Sequence, residues 1–388
     1  MPEWLGLHGP SHSRRSHPPR ALPGSDTQYP PAVVIQTAAG SLFGLAYGDA
    51  MGRPVEFRGY DEIVAVFGPG GPTSLPEPAL VTDDTQMALA VAWALRDVPD
   101  PDPQRLAAAL TQRFVAWLYS PDNNRAPGNT CLAACENLDT GMRWQQASVA
   151  GSKGCGANMR VSPVGLVPGF DLPTLAGVAQ LQAGLTHGHP TGLAAAELTA
   201  LAVRLLRDGA SMWRLPVLLR DHCVEQREVY HRDWLGDLWE RSHVDSPRSF
   251  ISRGWDECRD AMDRLIDALS TPDDGGDVCV ATGQGWVAEE ALATALHAAS
   301  RHPDDSVAAL GRAAATNGDS DSIACLTGAF HGAAYGIDTW PGEWAEQIEY
   351  GDQLAELASV LDQAADRYRN DVAGRREGPR QGQADVDQ

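Results

Sequence analysis

The chain has 388 residues, 43% of them apolar and 7% aromatic, enough to bury the core of one large domain or of two. Its 51 Asp and Glu outnumber 30 Lys and Arg, and the formal net charge of −21 excludes broad, sequence-independent binding to nucleic acid or to an anionic membrane surface. An anionic ligand can still bind locally where metal ions, helix N-termini or backbone N–H groups offset the repulsion.

Residues 1–30 are rich in Pro, Ser, His and Arg, with little that can pack, and are read as a flexible arm or a misassigned start. Arg14, Arg15 and Arg20 are not followed by an apolar stretch, so they do not open a secretory signal. A single domain is expected over residues 31–369. Within it, Met87, Leu89, Ala90, Val91, Trp93, Ala94 and Leu95 follow Thr82 and predict a helix that Pro99 stops beyond Arg96. Further Ala/Leu runs at helical spacing cover residues 193–206 and 288–299. After Ser320, Ile323, Leu326, Phe330 and Ala333 repeat the helical interval, and Gly336 is a natural C-terminal stop. Gly/Pro/Asp punctuation at 68–72, 99–103 and 271–276 joins the runs without a linker long enough to split the chain. No convincing alternation of strands appears, so the expected fold is all-α, a single compact multi-helix bundle. Residues 370–388 are polar and Gly-rich and are expected to form a disordered tail. No run of about 18 consecutive apolar residues predicts a membrane span.

Seven cysteines, an odd number scattered from Cys131 to Cys325, do not make a disulfide framework and point to a reducing, cytoplasmic setting. Cys131 and Cys135, four apart on an expected helix, are read as small core hydrophobes.

Two acidic clusters carry most of the functional information: Thr82-Asp83-Asp84-Thr85 and Gly318-Asp319-Ser320-Asp321-Ser322. Each sets carboxylates and hydroxyls at the start of an apolar helical run. Such hard oxygen ligands suit Mg²⁺, Mn²⁺ or Ca²⁺ rather than Zn²⁺. Ordinary N-capping is the plain alternative, but it uses one side-chain oxygen per helix and leaves paired carboxylates needing a counter-charge. The residues alone leave both open. The three glycines of residues 151–156 (GSKGCG) suit a close approach of backbone N–H groups to an anion, but on spacing alone they read as a plain turn.

Six segments in order, 40–56 (GSLFGLAYGDAMGRPVE), 82–87 (TDDTQM), 151–160 (GSKGCGANMR), 186–190 (THGHP), 285–292 (GWVAEEAL) and 318–323 (GDSDSI), resemble the ADP-ribosylglycohydrolase family. Its bacterial members include the enzyme that removes ADP-ribose from an arginine of dinitrogenase reductase. The resemblance implies an orthogonal helical bundle and a hydrolase that cleaves the glycosidic bond between ADP-ribose and an ADP-ribosylated protein or other acceptor. Arginine linkage comes first; serine-linked, nucleic-acid-linked and small-molecule acceptors are alternatives. It implies two divalent cations, Mg²⁺ or Mn²⁺, on Thr82, Asp83, Asp84, Asp319, Asp321 and Ser322, with Asp83, Asp84 or Asp319 also serving as general base.

The resemblance further implies a diphosphate loop over Gly151, Ser152, Lys153, Gly154, Cys155 and Gly156, with Lys153 adding a positive charge. Cys155 departs from relatives that carry Asn. Met159 and Arg160 are expected to fix the loop against the core, and His187 to approach the phosphates or ribose with His189 behind it. Glu56 matches a family glutamate seven positions after Asp49 and is the other acid/base candidate, the alternative being a surface glutamate beside Arg53 or Arg58. Asp49 is expected to brace the ligands. Trp286, Glu289 and Glu290 belong to a largely structural helix. Two rival functions are a non-catalytic ADP-ribose sensor and a two-metal phosphohydrolase that cuts the diphosphate.

Overall fold

In the computed structural model, which describes residues 35–377, the helix Thr37–Gly52 carries a single charged side chain, Asp49, and every one of its 16 residues is buried. A helix that is apolar all round belongs at the centre of a bundle. Gly40, Gly44, Gly48 and Gly52 recur every four residues along it and face the antiparallel helix Ser320–Tyr335, which answers with Gly328 and Gly332. The two backbones touch: a Cβ on Gly44 would lie inside the Gly328 carbonyl, and one on Gly332 inside that of Gly40. Ser41 Oγ donates across the seam to Ala329 O at 2.9 Å, and Trp340 Nε1 donates to Gly40 O at 2.9 Å. The antiparallel crossing puts Gly52 against the backbone of Asp321.

Around this pair, the helix Ala288–Arg301 packs on Ser320–Tyr335 and links it to Pro190–Arg207 and Pro247–Leu269. Leu172–Gly184 and Leu215–Gln226 complete that side, while Asp83–Asp97 and Pro103–Leu118 pack together on the other. The expected helices are present, Asp83–Asp97 ending two residues before Pro99 and Ser320–Tyr335 ending on Gly336 at φ 78°. Among the described residues there is no strand, and the all-α expectation matches; three isolated β-bridges pair Ala79 with Ile348, Val149 with His187 and Gly154 with Val287.

The final helix runs Gly351–Glu377 and so takes in 370–377, which the sequence had placed in a disordered tail. The helix continues because no proline interrupts it before Pro379, and the single Gly374 costs only about 1 kcal/mol in a helix. Residues 378–388, and the whole arm expected over 1–30, lie outside the described residues. No described helix is long and apolar enough to cross a membrane.

Candidate active site

Asp49 sits on the last turn of the central helix and reaches the start of the Asp83–Asp97 helix. Its carboxylate accepts Thr82 N–H at 3.0 Å, Thr85 N–H at 3.1 Å and the Thr85 hydroxyl at 2.5 Å. Thr82 Oγ1 accepts Asp84 N–H at 3.3 Å and is the N-cap of that helix. Asp49 and Thr82 thereby satisfy the helix N-terminus, which frees Asp83 and Asp84 from capping. Asp83 Oδ2 accepts Gly128 N–H at 3.2 Å, whereas Asp84 Oδ2 is buried without a partner. At the second cluster Asp319 occupies the N-cap position but makes no capping bond, and Asp321 accepts Ser322 N–H at 3.0 Å. The turn after Gly52 swings Glu56 inward, so that oxygens of Glu56, Asp319 and Asp321 lie within 4.8 Å of one another. Glu56 is therefore part of the cluster rather than a surface partner of Arg53, whose guanidinium donates to Leu80 O at 3.0 Å.

Six carboxylates now share one buried region, and among the described residues no Lys, Arg or His forms an ion pair with any of them. Burial, and then the charge of Asp321, push Asp49 up to about 7 and Glu56 up to about 9. Asp83 is pushed to about 7, chiefly by burial, and Asp84 and Asp319 lie well above the usual carboxylate range for the same reasons. Such crowding is costly unless cations offset it. The orphaned Asp84 Oδ2 and the all-oxygen donor set fit hard divalent ions; of the expected ligands, Asp83, Asp84, Asp319, Asp321 and Ser322 line one cavity, whereas Thr82 lies behind it with its Oγ1 capping the helix.

The carboxylates line a cavity of about 330 Å³, whose wall also includes Gly154, Cys155, Gly156, Met159 and His187, with Cys155 against Ser322. Two β-bridges place that wall: Gly154 pairs with Val287, and Val149 with His187. Cys155 N–H donates to Trp286 O at 3.1 Å. Gly151, Ser152 and Lys153 of the expected phosphate loop do not reach the wall. Ser152 Oγ bonds Thr130 Oγ1 at 2.9 Å. Lys153 is the main departure from the sequence expectation, because its ammonium donates to Glu257 at 2.8 Å and to Glu289. Two carboxylates from the Pro247–Leu269 and Ala288–Arg301 helices converge on it and neutralise it away from the cavity. His189 is structural, its Nδ1 accepting Thr191 N–H at 3.2 Å as the cap of Pro190–Arg207.

Sequence reasoning missed part of the rim. Phe57, 70% exposed, stacks on Trp286 with centroids 5.9 Å apart and planes 10° from parallel, and both rings line the cavity. Phe57 holds φ at 64°, a left-handed conformation that a bulky residue adopts only when its surroundings impose it. The rest of the rim is residues 126–130, with Ala126 also left-handed at φ 51°. The Asn/Pro/Gly richness of 123–129 marked a loop but not its place beside the clusters.

An all-α body in which a buried carboxylate cluster and a glycine-rich loop line one cavity fits the class of hydrolases that act on ADP-ribosyl linkages. The sequence profile of the ADP-ribosylglycohydrolase family matches residues 30–371, and the chain belongs to that family. It is 27% identical over 350 residues to ADP-ribosylhydrolase ARH3 of Homo sapiens, covering 83% of this chain and 92% of that protein. It is 25% identical over 367 residues to ADP-ribosylarginine hydrolase Tri1 of Serratia proteamaculans, covering 93% of this chain and 83% of that one. A solved structure described as an ADP-ribosylglycohydrolase-related protein complex superposes with a TM-score of 0.59 at 24% identity, over 85% of this chain and 98% of that one, a likeness of fold.

Proposed function

We propose that this protein hydrolyses the C1″ glycosidic bond of an ADP-ribosylated acceptor and releases ADP-ribose, with arginine-linked ADP-ribose as first substrate and serine- or nucleic-acid-linked forms as alternatives. The carrying observation is the convergence of Glu56, Asp83, Asp84, Asp319 and Asp321, without an ion-pair partner, on a cavity also lined by Gly154–Gly156 and His187. Two divalent cations, Mg²⁺ or Mn²⁺, would be held by Thr82, Asp83, Asp84, Asp319, Asp321 and Ser322. When bound, they supply a lowered pKa for water and charge stabilisation at the ribose hydroxyls.

The chain's own residues supply the rest. Glycoside cleavage forms a bond from water oxygen to C1″, breaks the bond from C1″ to the acceptor, and passes a proton to the departing atom through a cation-like transition state. Glu56, beside Asp319 and Asp321 and next to the open rim at Phe57, is placed to move that proton. The Gly154–Gly156 backbone and the His187 imidazole line the cavity where the diphosphate would lie; with the Gly154 N–H turned to Ser152 Oγ and the Cys155 N–H to Trp286 O, the imidazole is the donor that would offset its charge without adding a cation. Support for an arginine acceptor comes from the relative named an ADP-ribosylarginine hydrolase and from the acidic surface, which attracts a guanidinium. The seven buried thiols support a reducing, cytoplasmic location.

The test is release of free ADP-ribose from arginine-, serine- and DNA-linked substrates with Mg²⁺, with EDTA, and by the Asp319→Ala/Asp321→Ala variant. Metal-dependent release from one linkage, lost in the variant, is expected. Appearance of AMP in place of ADP-ribose would make the protein a phosphohydrolase; ADP-ribose binding without turnover on any linkage would make it a sensor.

A further inference from the structure

Arg160 is fully buried, yet its guanidinium meets no carboxylate. It donates to Gln182 Oε1 at 2.8 Å, to Gln182 O at 2.7 Å and to Thr186 Oγ1 at 2.8 Å, with Phe114 beneath it at 4.3 Å. Thr186 Oγ1 in turn lies 2.7 Å from His187 Nδ1. We infer that Thr186 is a positioning residue, its hydroxyl oriented by Arg160 so that it fixes His187 in the Nε2–H tautomer and presents that N–H as a standing donor to an anionic oxygen of the ligand.

The proton count leads to this assignment. Arginine keeps its protons at all relevant pH, so Arg160 donates and Thr186 Oγ1 accepts. The threonine hydroxyl has one proton to give, and two neighbours compete for it: His187 Nδ1 at 2.7 Å and Ala183 O at 3.4 Å. The longer distance falls outside the usual O–H···O range of roughly 2.5–3.0 Å. Ala183 O is also already taken, accepting His187 N–H at 2.8 Å and Thr186 N–H at 3.1 Å. The hydroxyl proton therefore goes to Nδ1, and a neutral imidazole with Nδ1 accepting carries its proton on Nε2. Burial, and then the nearby Arg160 charge, hold His187 down to about 3, so the ring has one N–H and no charge. Nε2 lies against the cavity wall, 3.4 Å and 3.3 Å from where Cβ atoms on Gly154 and Gly156 would be. An uncharged donor is thus set at the cavity wall, and the buried Arg160 acts on the ligand only through a neutral relay.

The assignment of an anionic oxygen as acceptor rests on the ADP-ribose function proposed above; the tautomer does not. The imidazole ¹⁵N resonances of His187 in the ligand-free protein are expected to show protonated Nε2 and bare Nδ1, and protonated Nδ1 would overturn the chain outright. Thr186→Val is expected to mix the tautomers and weaken ADP-ribose binding by calorimetry by about ten-fold, the scale of one charge-assisted hydrogen bond, with Thr186→Ser restoring both. In a His187→Gln background, whose amide donates whatever residue 186 is, Thr186→Val is expected to change affinity little. An equal loss there, or no rescue by serine, would reduce Thr186 to a packing role and overturn the inference. Wild-type protein with the Nε2–H tautomer but no affinity for ADP-ribose would overturn the ligand's identity and the proposed function together, while leaving the hydrogen-bond chain in place.

Discussion

Asp84 shows how a single side chain records what the site is for. One of its oxygens is buried without a donor, a loss of roughly 1–3 kcal/mol for a group of this kind. Asp84→Asn is accordingly expected to raise the melting temperature in EDTA by about 2 °C or more. It is also expected to abolish most of the stabilisation that Mg²⁺ gives the wild type, about 2.7 kcal/mol at a hundred-fold excess over Kd. A thermal melt of both proteins with and without Mg²⁺ checks the reversal of sign; a variant less stable in EDTA would mean that the carboxylate serves structure. Glu257 behaves in the opposite way. Burial alone would raise its pKa, but hydrogen bonds from Lys153, Thr191 and Arg253 outweigh it and hold the group at about 2. A depressed folded-state pKa stabilises above the unfolded value and is lost as pH falls through the folded one. Glu257→Gln should therefore cost about 1 kcal/mol at pH 7, allowing for partial exposure, and the gap should close between about pH 4.5 and 2 in urea titrations. Lys153 itself was misread from sequence because its partners lie 104 and 136 residues away, and no local pattern announces them.

At the scale of elements, the close crossing of Thr37–Gly52 and Ser320–Tyr335 sets the position of the carboxylates. Gly44→Ala drives a methyl into the Gly328 carbonyl and is expected to cost at least about 1–3 kcal/mol in urea denaturation. Metal affinity should fall with stability, because the same crossing brings Asp49 to Thr82 and Asp321 to Glu56; calorimetry with Mn²⁺ on the folded fraction would show unchanged affinity if the two were independent. The helices were legible because apolar runs such as Met87 to Leu95 repeat at helical spacing and Thr82, Pro99 and Gly336 mark their ends. Both acidic clusters were legible at helix N-termini, where Thr82 caps the first helix and Asp319 makes no capping bond at the second. Their meeting was not legible from spacing. The four-residue glycine repeat from Gly40 to Gly52 is a signal of close helix contact that the sequence reading did not use, and only the facing Gly328 and Gly332 say which helix it meets. Phe57 escaped notice because it lies in a turn 229 residues (286 − 57) from the Trp286 ring on which it stacks.

For the whole molecule, the net charge of −21 surrounds a cavity that must admit a diphosphate. The field opposes anionic substrates at long range and is screened beyond about 10 Å at 0.1 M salt. Turnover of an ADP-ribosylated basic peptide should fall as ionic strength rises, and turnover of ADP-ribosylated DNA should rise; kcat/KM measured from low to moderate salt checks both signs. Opposite or equal slopes would mean that the local donor at His187 outweighs the global field.

The seam between the two glycine-striped helices also carries a schedule. Ser41 and the carbonyl it bonds, Ala329, are 288 residues apart. At synthesis rates of about 5–20 residues per second, the first helix waits on the order of 15–60 s for its partner to leave the ribosome. Throughout that time the glycine stripe of an almost wholly apolar helix lacks the backbone it packs against. The carboxylate cluster is thus completed among the last events of the molecule's making.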